Sequence, residues 1–249
     1  MSRVKITVAT IGHMPAEFQT KKLKEWKSSV FEVVDEVENY SLNCQSDGYD
    51  WEFTDAALEK VLPTVFNGDF LVSIVNVPIE GNWYTRRLGS NRVVFSFHEI
   101  KDILRFSNIP LENVIYRLFY AYLLLYKRSG NRIPTNAEHT NFTHDETRGC
   151  IFDMNSMKTD IILSCHKPIL CASCVEKSRQ QKVSNGTIDK CQSEIYKIQK
   201  DLFYKMTAFI RQYPVWSLII SGLTAIVLGA AGSVVGSYIY EAIRQLSCL

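Results

Sequence analysis

Hydrophobic residues recur along this chain in changing rhythms, and each change marks an element. Residues 3–10 (Arg-Val-Lys-Ile-Thr-Val-Ala-Thr) interleave charge with β-branched side chains and predict a first strand. Over 17–39, Phe18, Leu23, Trp26, Val30, Val33 and Val34 recur at helical spacing between Lys and Glu, which predicts an amphipathic helix. Residues 55–62 predict a short helix stopped near Pro63. The continuous apolar run 70–77 predicts a buried strand, and 92–97 a second one after a polar loop over 80–91. Residues 111–127 predict a strongly apolar helix that Ser129 and Gly130 end. Periodicity fades over 131–176. A polar stretch, 177–187, predicts a linker. Residues 188–213 predict a second amphipathic helix, with Ile195, Ile198, Leu202, Met206, Phe209 and Ile210 set against Lys197, Lys200 and Lys205. This order implies one α/β (α+β) domain over residues 1–176, with a small mixed sheet, a central helix and an irregular, Cys-rich C-terminal part.

The last rhythm is unbroken apolarity. Residues 215–240 contain no Asp, Glu, Lys or Arg, and a bilayer core asks for roughly 20 such residues as helix. Trp216 stands at one end and Tyr238 with Tyr240 at the other, where interfacial aromatics belong. The stretch predicts a single transmembrane helix. Lys197, Lys200, Lys205 and Arg211 precede it while Arg244 follows, so the positive-inside rule places residues 1–214 in the cytoplasm. A short tail, 241–249, would lie beyond, and the protein reads as tail-anchored. Gly222, Ala225, Gly229, Gly232 and Gly236 keep a three-or-four spacing and share one helix face. Such a stripe lets helix backbones approach closely and predicts self-association in the membrane. The preceding amphipathic helix would continue this as a cytoplasmic bundle or lie on the inner leaflet.

Composition adds limits. The chain is 46% hydrophobic and 22% charged, as globular domains are, and its formal net charge of +2 gives no case for a nucleic-acid partner. The odd count of seven Cys argues against a disulfide framework. In a reducing compartment a Cys-x-x-Cys pair reads instead as metal-binding or redox-active.

Four of the potential soft ligands fall close together. His144-Asp-Glu-Thr-Arg-Gly-Cys150 is followed by Cys171-Ala-Ser-Cys174. One His and three thiolates make a closed tetrahedral zinc shell with no position left for water, which is the arrangement of structural sites. Cys165 and His166 lie between them as rival ligands; free buried thiols and a redox pair are the other readings of the same residues.

The stretch Cys150-Ile-Phe-Asp-Met-Asn-Ser-Met-Lys-Thr-Asp160, then Leu170-Cys-Ala-Ser-Cys174, resembles the C-terminal part of the archaemetzincins. These are metzincin-type zinc metallopeptidases with a Cys-x-Met-Asn-Phe turn and a closing Cys-x-x-Cys that holds a second, structural zinc. The spacing of His144 from Cys150 is the one between that family's third catalytic His and a structural-site Cys. Strands 70–77 and 92–97, and the loop with Asn82, Leu88 and Gly89, resemble the family's sheet. The resemblance implies a metzincin-like fold over residues 3–176, with a zinc-type segment at 139–176.

It also implies a loss. The family's active helix carries His-Glu-x-x-His, two zinc ligands one turn apart with a general base between them. No such motif occurs here, and 111–127 has no His. Pro134 and Glu138 stand ten and six residues before His144, where the family has zinc-ligand histidines. Asp145 stands where the first structural Cys would be, which leaves His144 to complete the structural site. No catalytic residues are therefore assigned. The expected function is that of a membrane-tethered pseudo-peptidase that binds or senses an unidentified protein or small molecule. A soluble sensor joined to one glycine-striped span also resembles the layout of membrane-acting antiviral effectors. The alternative is a membrane-bound zinc metallopeptidase with a divergent site around His139 and His144. Trp83, Arg86 and Arg87 on the polar loop form a candidate binding loop for a phosphate or acidic peptide, against the plainer reading of a loop packing its own aromatics.

Overall fold

The computed structural model describes residues 3–246, so the last three residues of the expected tail lie outside the described residues. Two compact units divide at Asp201 and Leu202. In the first, strand β1 (Val4–Ile11) is followed by α1 (Thr20–Glu25), β2 (Phe31–Tyr40), α2 (Asp55–Val61), β3 (Phe70–Val75), β4 (Thr85–Leu88) and β5 (Arg92–Ser96). Then come α3 (Ile100–Phe106), α4 (Glu112–Arg128), α5 (Ile161–Ser164), α6 (Ala172–Gln180) and α7 (Asn185–Ile195). The strands form one mixed sheet in the order β2-β1-β3-β5-β4, all parallel neighbours except β4, which runs antiparallel to β5.

Strand periodicity divides the core between the two faces of this sheet. Val4, Ile6, Val8, Phe70, Val72, Ile74, Val93 and Phe95 point into a large cluster with α4. Val75, Leu88 and Val94 point the other way, into a smaller cluster closed by Phe53, Leu58, Leu62 and Ile79. A strand covered on both faces needs apolar residues throughout, and every residue of β3 is buried. Of the 17 residues in α4 only Lys127 escapes burial, so this helix is the centre of the domain rather than a surface element.

Four expectations are corrected. The helix expected over 17–39 is a short helix and an edge strand: α1 ends at Glu25, and β2 pairs in parallel with β1. The pairing jumps from Thr7↔Val34 to Ala9↔Glu38, with Asp35 at φ 62°. This bulge inserts two extra residues into β2, and adjacent Val33 and Val34 just before it already break the strand's alternation. The polar loop expected over 80–91 contains β4, whose return into β5 passes through Ser90 and Asn91 at positive φ. The linker expected over 177–187 is occupied by the end of α6 and the start of α7. Val183 and Ile188 are buried there, and Thr187 donates its N–H to the Ser184 hydroxyl that caps α7.

The helix expected over 188–213 is likewise two helices. One is α7, whose Ile188, Cys191 and Ile195 belong to the core of the first unit. The other is α8 (Leu202–Gln212), which opens the second unit. Helix α9 (Pro214–Leu246) follows, and Pro214 sits at its first residue, where a missing N–H costs nothing. Its segment Pro214–Tyr240 is long and apolar enough to cross a membrane, at about 40 Å of helix.

Candidate metal centre

The region between α4 and α6 has little regular structure, and backbone pairs hold it in register. His144 donates its N–H to Phe152 O at 3.1 Å, and Met154 returns one to His144 O at 3.0 Å. Ile151 donates to Ile169 O at 2.9 Å, and Ile169 to Gly149 O at 3.0 Å. Gly149 turns the chain into Cys150 at φ 85°, with Leu163 O only 3.3 Å from where a Cβ would stand, so a side chain there would be both strained and crowded. These pairs lay His144 beside Asp153 and Cys150 beside Ile169. Cys171 then forms the N-cap of α6, and Cys174 sits one turn further, facing inward.

The four expected ligands converge. Their donor atoms all lie within 4.8 Å of one another. Cys150 Sγ is 3.9 Å from Cys174 Sγ, and Cys171 Sγ is 3.6 Å from His144 Nε2. A tetrahedral zinc with ordinary bond lengths sets S···S edges of about 3.8 Å and S···N edges of about 3.6 Å. The donor set therefore fits a zinc ion in chemistry and in spacing. With four protein donors the shell is closed, as in structural sites.

The electrostatics suit thiolates. The Cys150 thiol is drawn down to about 5, chiefly because Cys174 donates to its sulfur, with the N–H groups of Cys171 and Phe152 adding to this against the effect of burial. Cys174, which holds the shared proton, is pushed up. The N-terminus of α6 favours negative charge at the same place. His144 presents Nε2 to the thiols, while its buried Nδ1 has no hydrogen-bond partner.

The rival ligands are elsewhere. Cys165 is fully buried, its thiol pushed up to about 12 by burial, and its carbonyl accepts Asn113 Nδ2 at 2.9 Å. His166 Nδ1 accepts the Lys200 N–H at 3.3 Å. Neither belongs to the donor group, and among the described residues the exposed His139 joins no such group.

A buried polar knot stands behind the metal segment, and sequence reasoning missed it. Arg117, on α4 and 1% exposed, donates Nη2 to Asp153 O at 2.7 Å and Nη1 to the Tyr84 hydroxyl at 3.3 Å. Asn155 Nδ2 reaches the same hydroxyl and the same carbonyl, each at 3.1 Å. Arg117 Nε, Asp153 Oδ2 and Asn155 Oδ1 remain unpaired and buried. The knot ties the turn after Cys150 to the central helix. Its one signal in the sequence is an Arg inside an otherwise apolar helical run.

The candidate binding loop is split by the structure. Arg86 forms a two-pronged ion pair with Asp55 of α2 at 2.9 and 2.6 Å, which makes it a strut. Arg87 turns to the other side, and Trp83 is partly exposed. On α9, the faces of Gly222, Gly229, Gly232 and Gly236 are open: a Cβ at any of them would meet nothing within 4 Å. Ala225 is exposed on the same helix.

No family model matches the chain, and no curated protein matches it. A solved structure to which it is similar is archaemetzincin from Methanopyrus kandleri, at 14% sequence identity and a TM-score of 0.43, covering 72% of this chain and 95% of that one. The chemistry rests on this chain's own residues.

Proposed function

We propose that this chain is a membrane-tethered binding module, a metzincin-like scaffold that keeps one structural zinc and lacks a hydrolytic centre. The observation that carries this is the allocation of His144. It closes a set with Cys150, Cys171 and Cys174, so its imidazole is not available to polarise a water molecule. The helix at the centre of the fold, α4, carries no His, and its one carboxylate, Glu112, accepts the Gln19 N–H at 2.7 Å. The apolar α9 supplies the tether, and its open small-residue face supports association with a second copy in the bilayer.

Two experiments on the full-length protein in detergent test this. Metal analysis is expected to give one zinc per chain, unchanged in His139→Ala, with no cleavage of an unstructured casein substrate. Two zincs per chain, one of them lost in His139→Ala together with casein cleavage, would instead establish the peptidase reading. Energy transfer between labelled chains in vesicles is expected to fall when Gly232 and Gly236 both become Leu, because the added side chains separate the helix backbones. Undiminished transfer would leave α9 as an anchor alone.

A further inference from the structure

Among the described residues Arg87 forms no ion pair, and it stands beside a cleft of about 220 Å³. Its guanidinium is half-buried and donates to carbonyls, Pro134 O at 3.2 Å and Glu138 O at 3.5 Å. It also lies 5.7 Å from the centre of the Phe142 ring. The carboxylates near it are committed elsewhere. Asp55 is clasped by Arg86 and also accepts Asn136 Nδ2 at 3.0 Å. Glu138 is clasped by Arg132 at 2.9 and 2.7 Å. Burial pulls the proton affinity of Arg87 down, more than the nearby Glu138 restores it.

The walls define what fits. Trp83, Phe142 and Met154 give an apolar body, while Thr143 and the Thr85–Tyr122 hydroxyl pair, 2.8 Å apart, give polar points. The volume is below the roughly 300 Å³ at which drug-sized pockets begin, so the occupant is compact. An extended peptide is not accommodated along this stretch of the sheet edge. The outward N–H of Arg87 donates to Asn136 Oδ1 at 3.0 Å, and its carbonyl accepts the Asn136 N–H at 3.1 Å. The backbone groups that would pair with an added strand are therefore taken. A guanidinium fork with apolar flanks recognises a planar or tetrahedral oxyanion on a hydrophobic body.

We infer that the cleft beside Arg87 binds a small oxyanionic ligand, a carboxylate or phosphate carried on an apolar or aromatic group, with Arg87 as its anchor. This deepens the binding reading, yet its test is separate, since a chain with two zincs and peptidase activity would equally bind or fail to bind such anions. Titration calorimetry on the full-length protein in detergent would use inorganic phosphate, phenyl phosphate and benzoate. Saturable binding at millimolar concentration or below is expected, tighter for the aromatic anions than for phosphate. Either preference between benzoate and phenyl phosphate supports the site and identifies the headgroup. Arg87→Gln is expected to weaken binding about tenfold or more, with Arg87→Lys intermediate because it keeps the charge and loses the fork. Retained zinc in Arg87→Gln shows that the domain is intact. Arg105→Gln, which removes a surface ion pair with Glu17, is expected to bind as the parent does. Absence of binding of all three probes to the parent protein, or equal binding by Arg87→Gln, overturns the inference.

Discussion

Cys174→Ser is expected to release the zinc and to lower the thermal midpoint of the first unit by about 10–20 °C. The residue is 1% exposed and stands 3.9 Å from Cys150 Sγ at the inner corner of the donor set. A hydroxyl there is a poor soft-metal ligand and a buried polar group at once. Structural zinc contributes about 10–16 kcal/mol in peptides that have no other core. Here the same segment is also held by the Arg117 knot and by Ile151 and Phe152 in the core, so about 5 kcal/mol of global stability is the expected loss. At about 2–4 °C per kcal/mol for a unit of this size, that gives the stated shift. A chelator should bring the parent protein to the same midpoint and leave Cys174→Ser unmoved. Cys44→Ser, away from the site and only half-buried, is the control and should keep its zinc. Acid should mimic the chelator, because metal binding requires deprotonated thiols and weakens as pH falls. A Cys174→Ser protein that retains one zinc and its melting temperature would remove Cys174 from the metal centre.

The metal centre was the most legible part of the sequence because ligand chemistry does not depend on secondary structure. His144, Cys150, Cys171 and Cys174 stand out by residue type alone, even in a stretch without periodicity. What the sequence left open was the choice between them and Cys165 or His166. The backbone pairs of 144 with 152–154 and of 149–151 with 169 help bring His144, Cys150, Cys171 and Cys174 into one group that leaves out Cys165 and His166, and such pairs leave no mark on composition. The core elements were legible for a different reason. Strand β3 is buried throughout and apolar at all but Ser73, helix α4 is buried at all but Lys127, and length separates helix from strand.

Elements at the margins were not legible. β2 lies at the sheet edge, where only Phe31 is buried, and adjacent Val33 and Val34 break its alternation before the bulge at Asp35 interrupts it again. α6 and α7 are short, and their outward faces are polar. Ser178 and Thr187, polar residues by type, are buried in them. Arg87 shows the same limit at the candidate cleft. Its neighbour Arg86 is identical in type, and only the position of Asp55 on α2 makes one a strut and leaves the other unpaired. Which polar groups are already paired depends on contacts between distant elements, and a linear sequence does not record that.

Glu194→Ala is expected to cost about 3 kcal/mol and to lower the midpoint by about 6–12 °C, although it lies in a stretch that reads as surface helix. Glu194 is 5% exposed on α7. Its carboxylate accepts the Ser28 hydroxyl at 2.6 Å, the Ser29 N–H at 2.8 Å, the Ser29 hydroxyl at 2.6 Å and the Tyr120 hydroxyl at 2.8 Å. Tyr120 in turn accepts Trp26 Nε1 at 3.0 Å, and Trp26 stacks on Tyr116. One side chain thus joins α7, the central helix and the turn that leads into β2. Truncation strands several buried donors at once, which costs more than the loss of any single bond. Burial by itself would push the Glu194 carboxyl up, but the bonds from Ser28, Ser29 and Tyr120 outweigh it and hold the group below the ordinary value. A carboxyl depressed by folding contributes its full stabilisation above the unfolded value of about 4.3 and loses it as pH falls through the lower folded value. The stability difference between the parent and Glu194→Gln, which cannot titrate there, should therefore narrow over that acidic window. If α7 were a detached helix hanging below a linker, Glu194→Ala would melt with the parent at every pH, and that result would remove α7 from the domain.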